Sequence, residues 1–262
     1  MKPDYKNWVP KGMVYGVTAG FIVSLIGLFV FGVLRIGGRI QKILSAVFGI
    51  ASLITGVYTF LCHMWYRAFD YNGKRQLSKQ IIEGTAEYVS IPDGGRGLDV
   101  GCGSGALTIA CAKKNPNAKM TGIDRWGKEY ASFSKKLCEE NAQIEGVDGR
   151  TDFMQGDATS LGFPDESFDA VTSNYVYHNI TGADKQALLK ETLRVLKKGG
   201  TFAIHDLMSK ARYGDMQKFV SELKEEGYEK VEMIDTTRGM FMTPGEATRL
   251  FLGGSTLLYG KK

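Results

Sequence analysis

Cysteine is sparse in this sequence and nowhere paired. Cys62, Cys102, Cys111 and Cys138 are its four thiols, and no two stand at the C-x-x-C spacing of a zinc site. No metal centre is expected, and the thiols beyond the N-terminal quarter suit a reduced, cytosolic domain. Charge is the second shortage. Residues 13–34 and 43–62 contain no charged side chain. Elsewhere the balance is ordinary, with 23% charged and 44% hydrophobic residues, which excludes a largely disordered chain.

At 1.5 Å per residue, either charge-free run is long enough to cross a hydrocarbon core of about 30 Å. A signal peptide fits poorly. The first run exceeds an apolar region of about 7–15 residues, and a second run follows at once. The connection "RIGGRIQK" (35–42) is short, so a membrane hairpin is expected. Gly16 and Gly20 in the first run face Ser45, Gly49, Ser52 and Gly56 in the second as candidates for close backbone packing. Lys2, Lys6 and Lys11 before the hairpin, with Arg67, Lys74, Arg75 and Lys79 after it, outnumber Arg35, Arg39 and Lys42 in the loop. The positive-inside rule then puts both termini and the following domain in the cytoplasm. Trp8, Tyr15, Tyr58, Trp65 and Tyr66 suit an aromatic belt on that side, and His63 suits its boundary. The net charge of +5 belongs to residues 1–75, which carry +7, so the remainder carries −2. A nucleic-acid partner is not expected for so neutral a domain.

From residue 77 the pattern changes. "LSKQIIEGTAEYVSI" (77–91) predicts an amphipathic helix with Ile81, Ile82, Ala86 and Val89 on one stripe. Strands are then expected at 96–100, 118–124, 150–157, 168–177, 200–206, 230–237 and 255–262. Helices are expected at 105–115, 127–146, 184–200, 216–228 and 243–254. Such alternation predicts an α/β fold: an open, mostly parallel sheet with helices on both faces and the last strand antiparallel. The expected divisions are an anchor over 1–66, a linker with the amphipathic helix over 67–94, and an α/β domain over 95–262.

"GLDVGCGSG" (97–105) leaves its strand with glycines at 101, 103 and 105. Glycine allows positive φ there and a close backbone approach to a nucleotide. With Ala106 the loop also satisfies G-x-G-x-x-[GA], so alone it does not choose between dinucleotides and other nucleosides. Its companions choose. Asp99 would repel a pyrophosphate drawn to the helix N-terminus but would accept from an ammonium group. Asp124 ends the second strand, where an acid can hold ribose hydroxyls. "QGDAT" (155–159) offers an acceptor at Asp157 and a backbone donor at Ala158.

Residues 95–205 resemble a class I S-adenosylmethionine-dependent methyltransferase. The likeness rests on "LDVGCGSG", "GIDRW", "GDATSLGFPDESFDAV" and "LRVLKKGGTF". Lys198 stands where the family commonly has proline. The resemblance implies a Rossmann-like, seven-stranded fold and S-adenosyl-L-methionine as methyl donor, with S-adenosyl-L-homocysteine as product. It implies that Gly101 and Gly103 approach the methionine part, that Asp99 lies near its amino group, that Asp124 binds the ribose, and that Asp157 and Ala158 read adenine. Cys102, Gly105, Arg125, Gly156 and Asn174 complete the expected cofactor set.

The acceptor should approach beyond the fourth strand, where Ser173, Asn174, Tyr175, Tyr177 and His178 follow one another. His178 has the intrinsic basicity for a general base. Tyr175 and Tyr177 join it as acceptor-pocket candidates, and His205 and Asp206 are equally well placed by topology. No "NPPY"-type motif is present, which argues against planar amide nitrogens. The absence of Tyr-x-x-x-Lys argues against one large group of NAD oxidoreductases. Met208, Met216, Met240, Phe241 and Met242 are candidates for an adaptable lid. Together the hairpin and the domain predict a membrane-anchored methyltransferase, with the bilayer as partner and a small lipophilic acceptor: a phospholipid amine, a quinone-like ring, a thiol or a phenol. A tethered adenosylmethionine-binding protein without turnover, and a methyltransferase of protein or RNA, are the alternatives.

Overall fold

The computed structural model describes residues 1–33, 38–127 and 132–262. Leu34 at the end of the first run, the loop cation Arg35 and residues 128–131 of the helix expected at 127–146 lie outside the described residues. The chain forms two compact units, Asn7–Ser78, and Met1–Lys6 together with Lys79–Lys262.

The first unit is a helical hairpin of α1 (Lys11–Val33) and α2 (Gly38–Phe69). Both helices are long and apolar enough to cross a bilayer. Ile22, Val23, Phe29, Ile50, Leu53 and Phe60 are all more than half exposed. Between the helices, the Ser24 and Thr55 hydroxyls meet at 3.1 Å. Thr59 Oγ1 donates to the Val17 carbonyl at 3.1 Å, and Ser45 Oγ to the Phe31 carbonyl at 2.8 Å. In hydrocarbon, such bonds satisfy groups that would otherwise lack partners. The small-residue expectation holds in part, with Gly20, Gly49 and Gly56 against the facing helix. Gly16 faces open space, whereas a Cβ on Gly56 would lie 3.0 Å from the Phe21 ring. The tightest approach is at Gly27, where a Cβ would lie 2.3 Å from the Phe48 ring. The run 43–62 is only the middle of α2, because residues 63–69 contain no glycine or proline to stop the helix.

The second unit is a seven-stranded sheet between helices. Its strands are β1 (Arg96–Val100), β2 (Lys119–Asp124), β3 (Thr151–Gln155), β4 (Phe168–Asn174), β5 (Leu196–Leu207), β6 (Lys230–Asp235) and β7 (Ser255–Lys261). They lie in the order β3-β2-β1-β4-β5-β7-β6. The first five are parallel, and β7 runs antiparallel to both β5 and β6. The central strands are covered on both faces, so β1 and β4 are buried along nearly their whole length rather than at alternate residues. The core gathers Leu98, Val100, Val171, Phe202, Ile204 and Leu258 from neighbouring strands. The helices are α3 (Leu77–Ala86), α4 (Ala106–Lys114), α5 (Lys135–Ile144), α6 (Lys185–Arg194), α7 (Lys210–Tyr213), α8 (Met216–Glu225) and α9 (Pro244–Arg249).

Several boundaries differ from expectation. The helix at 77–91 ends at Ala86, although all four stripe residues are buried. The described part of 127–146 becomes helical only at Lys135, where the Ser134 hydroxyl accepts from the Leu137 amide and caps α5. α6 stops at Arg194, and "LKKGG" belongs to β5. Pairing there jumps from Phe168–Leu196 to Ala170–Thr201, a bulge that Gly199 permits with a φ of +78°. β4 ends at Asn174 because Tyr175 turns into the left-handed region, with a φ of +54°. Residues 1–6, assigned by sequence to the anchor, pack with the α/β unit: the Asp4 amide donates to Asn141 Oδ1 at 2.8 Å, and Asn141 Nδ2 returns a bond to the Asp4 carbonyl.

Candidate active site

β1 and β4 are central neighbours, and the chain builds outward from them in opposite directions. A crevice opens at the carboxyl ends of such a pair. A cavity of about 380 Å³ lies there, lined by Gly101 and Gly103 after β1, Asp124 and Arg125 after β2, Gly156 and Ala158 after β3, and Asn174, Tyr175 and Val176 after β4.

The glycine loop is wound tightly. Gly101, Gly103 and Gly105 all have positive φ. A Cβ on Gly101 would lie 2.2 Å from Val176, so this position needs glycine for space as well as for conformation. The loop amides are engaged within the protein. Gly101 N and Cys102 N both donate to the Ile123 carbonyl, Gly103 N to Asp124 Oδ2, and Gly105 N to the Cys102 carbonyl. Those four donors are spent on holding the loop.

Asp99 is 1% exposed and sits at the N-terminus of α4. Its carboxylate accepts from the Thr108 hydroxyl at 2.6 Å, the Thr172 hydroxyl at 2.9 Å and the Thr108 amide. Burial pushes its carboxyl up to about 6, against those hydrogen bonds. It lines a small cavity of about 40 Å³ that shares Gly101 and Asn174 with the larger one, and Cys102 lines it too. An acid already occupies the helix end where a dinucleotide would place its pyrophosphate.

Asp124 is engaged by the loop. Its Oδ2 accepts from Gly103 N at 2.9 Å, and its Oδ1 from Trp126 N at 2.8 Å. Trp126 closes the bracket, its indole nitrogen donating to the Gly103 carbonyl at 3.0 Å. The Asp157 carboxylate turns toward Thr159, accepting from its amide and hydroxyl, which holds it below the usual carboxylate range. Arg125 lies 4.0 Å from Asp157 in a largely exposed pair. At this strand end it is therefore Gly156 and Ala158 that face the cavity. Gly105 is the N-cap residue of α4 and packs against Phe153 and Cys138.

The residues after β4 divide. Tyr175 lines the cavity, and its ring stands 4.7 Å from that of His205. The Ser255 hydroxyl donates to the Leu252 carbonyl at 2.8 Å, so the Tyr175 hydroxyl, 2.6 Å away, donates to Ser255. Tyr177 is a correction: it lies in the core, wholly buried, with its hydroxyl 2.6 Å from that of Thr192. The turn after Val176 winds it inward. His178 keeps 18% of its side chain exposed and puts Nδ1 2.5 Å from Asp206 Oδ1. Asp206 is fully buried and accepts from the amides of Tyr177, His178 and Leu207. Burial works to raise its carboxyl, but the His178 hydrogen bond and the Leu207 amide outweigh it and hold the group below the usual carboxylate range. His205 is buried, and burial pushes it down to about 3. Of the proposed lid residues, Met208, Met216, Phe241 and Met242 are buried.

Sequence reasoning missed Phe133, Val176, Ile180 and Thr181 of the cavity wall. It quoted Trp126 but gave it no role. Thr236 and Ser255, whose hydrogen bonds reach the β4 end, carry no sequence signal at all.

The sheet order and its antiparallel end are those of the Rossmann-like methyltransferase fold. Residues 98–204 match the family described as a methyltransferase domain. The demethylmenaquinone methyltransferase of Bacillus licheniformis is 32% identical over 142 residues, covering 54% of this chain and 57% of that protein. The sterol 24-C-methyltransferase of Gibberella zeae is 30% identical over 128 residues, covering 49% and 32%. The chain thus spans from about a third to little more than half the length of these relatives. Among solved structures, a geranyl diphosphate methyltransferase in complex with GPP and sinefungin aligns with a TM-score of 0.56 at 13% identity, over 75% of this chain and 83% of that one. The [4+2]-cyclase SpnF aligns with a TM-score of 0.55 at 21% identity, over 74% and 85%.

Proposed function

We propose that this chain is an S-adenosylmethionine-dependent methyltransferase acting on a small lipophilic acceptor at a membrane surface. The observation that carries the donor is Asp99, which occupies the α4 N-terminus beside a glycine loop whose amides are spent. That arrangement disfavours a pyrophosphate and suits an ammonium group. The cavity fits such a donor, with Asp99 and Asn174 toward the amino acid end, Asp124 toward the ribose and Gly156 with Ala158 toward adenine. Bound there, the donor supplies an electrophilic methyl on a sulfonium. The protein orients the reactants and excludes water. His178 takes the proton of a hydroxyl, phenol, thiol or ring carbon nucleophile at Nε2, while Asp206 holds Nδ1.

The acceptor class draws on two supports. The relatives are named for a demethylmenaquinone and a sterol. The two long apolar helices would hold the domain at a bilayer, raising the effective concentration of an acceptor dissolved in it. The flanking cations then favour both termini and the domain on the cytoplasmic side. Radiolabelled methyl transfer into a fractionated membrane lipid extract tests the reading, comparing wild type with Asp99→Ala. Label in a lipid fraction that the variant loses supports it. Label only in soluble protein or RNA overturns the acceptor class. A second reading, binding of adenosylmethionine without turnover, has one specific observation behind it: a neighbour of this fold is named a cyclase. Adenosylhomocysteine binding without transfer to any fraction would favour it.

A further inference from the structure

His205, Thr236 and Ser255 are each fully buried and polar, and nothing in the methyl transfer above uses them. They form a chain that ends at the cavity. Thr236 Oγ1 lies 3.0 Å from the Ser255 carbonyl and 2.9 Å from His205 Nε2. A carbonyl only accepts, so the single Thr236 proton goes to Ser255. Thr236 therefore accepts from His205, and Nε2 carries the imidazole proton. Burial disfavours a second proton on the ring, despite Asp206 next in sequence. The ring's other neighbours are Tyr175, with centroids 4.7 Å apart, and Phe241, at 5.5 Å. Nδ1 is then an acceptor. It lies 2.9 Å from Asn174 Oδ1, an acceptor too. The conflict resolves when the Asn174 amide turns over about its terminal bond, exchanging two atoms of nearly equal shape, so that Nδ2 donates to Nδ1. The Asn174 oxygen is left to face outward. Asn174 lines both the main cavity and the small cavity of Asp99.

We infer that His205 is a positioning residue that locks the Asn174 carboxamide with its oxygen toward the ligand, where it and Asp99 together take an ammonium group. The inference rests on the methyl-donor reading for the identity of that ammonium, but the relay itself does not. It also assigns a task to the β6–β7 end of the sheet: Thr236 follows β6 and Ser255 opens β7, and through them this antiparallel edge sets a side chain at the end of β4.

The test uses the full chain in detergent micelles and two nucleosides. S-Adenosylhomocysteine carries the ammonium, whereas 5′-methylthioadenosine lacks the amino acid end. Calorimetric titration of His205→Phe should show about a tenfold loss of affinity for the first and no change for the second. His205→Gln can still donate to Thr236 and accept from Asn174, so it should restore most of that loss. Equal losses for both nucleosides, or no loss for either, overturn the assignment. Should His205→Phe fail to fold, nitrogen NMR of the wild-type imidazoles decides the relay: His205 should appear as the neutral Nε2–H tautomer between about pH 6 and 8. An Nδ1–H tautomer or an imidazolium there overturns it. Binding of neither nucleoside by wild type would sink the donor reading and the ammonium with it, and the tautomer would still report on the relay.

Discussion

Gly101→Ala isolates the geometry on which the donor loop depends. The residue has a φ of +75°, and holding alanine there costs about 1–2 kcal/mol. The new Cβ would also lie 2.2 and 2.7 Å from the two γ-carbons of Val176 and 3.0 Å from its Cβ. Overpacking of this kind costs about 1–3 kcal/mol further. The sum, about 2–5 kcal/mol, is a large fraction of a typical domain's stability of about 5–15 kcal/mol. Val176→Ala removes both γ-carbons and should recover the overpacking part while leaving the conformational part. A double-mutant cycle on the urea midpoint of the α/β unit measures this, and the coupling should be about 1–3 kcal/mol in the rescuing sense. Adenosylhomocysteine affinity should fall in Gly101→Ala and partly return in the double variant. A single variant as stable as wild type would refute the close approach. Strictly additive substitutions would refute the contact with Val176.

Four further outcomes are expected. The Asp99 carboxyl is pushed up to about 6 by burial, so affinity for adenosylhomocysteine should rise with pH through that value as the carboxylate forms, while 5′-methylthioadenosine stays flat. The folded carboxyl holds its proton more tightly than the unfolded one, so the ligand-free domain should lose stability as pH rises from about 4 to 6, a slope that urea titrations of Asp99→Asn should flatten. His178→Ala should lower kcat by about a hundredfold or more for an acceptor that must lose a proton, with little change in adenosylhomocysteine affinity by calorimetry; Asp206→Asn should follow in the same direction. Gly27→Leu should disrupt the α1–α2 packing against Phe48 far more than Gly16→Leu, where space is open, as read by crosslinking of cysteine pairs placed across the hairpin.

Much of this protein is legible in one dimension. Hydropathy alone marks the two long apolar helices, because a stretch without charge is a local property. The strand and helix alternation sets the sheet, and "DVGCGSG" with Asp99, Asp124 and "GDA" marks its crevice, because each motif follows its own strand by a fixed few residues. Boundaries were less legible where non-local contacts set them. "LKKGG" continues a helical pattern, yet it joins β5 because Leu196 pairs with Phe168 of β4 while Gly199 and Gly200 bond the Lys262 backbone. Tyr177 follows Tyr175 by two residues, but a left-handed turn and a 3-10 turn leave Tyr175 at the cavity wall and Tyr177 in the core.

The sequence by itself determined most of the elements, their order and the strand ends that line the cavity. Tertiary structure decided what each polar group there is free to do. The loop amides could have served a phosphate, but they are spent on Ile123 and Asp124. His205 could have been a base, but Thr236 and Asn174 hold it from positions 31 residues away on either side. A hydrogen-bonding group has few partners, and which ones it takes depends on neighbours in space that sequence distance does not record.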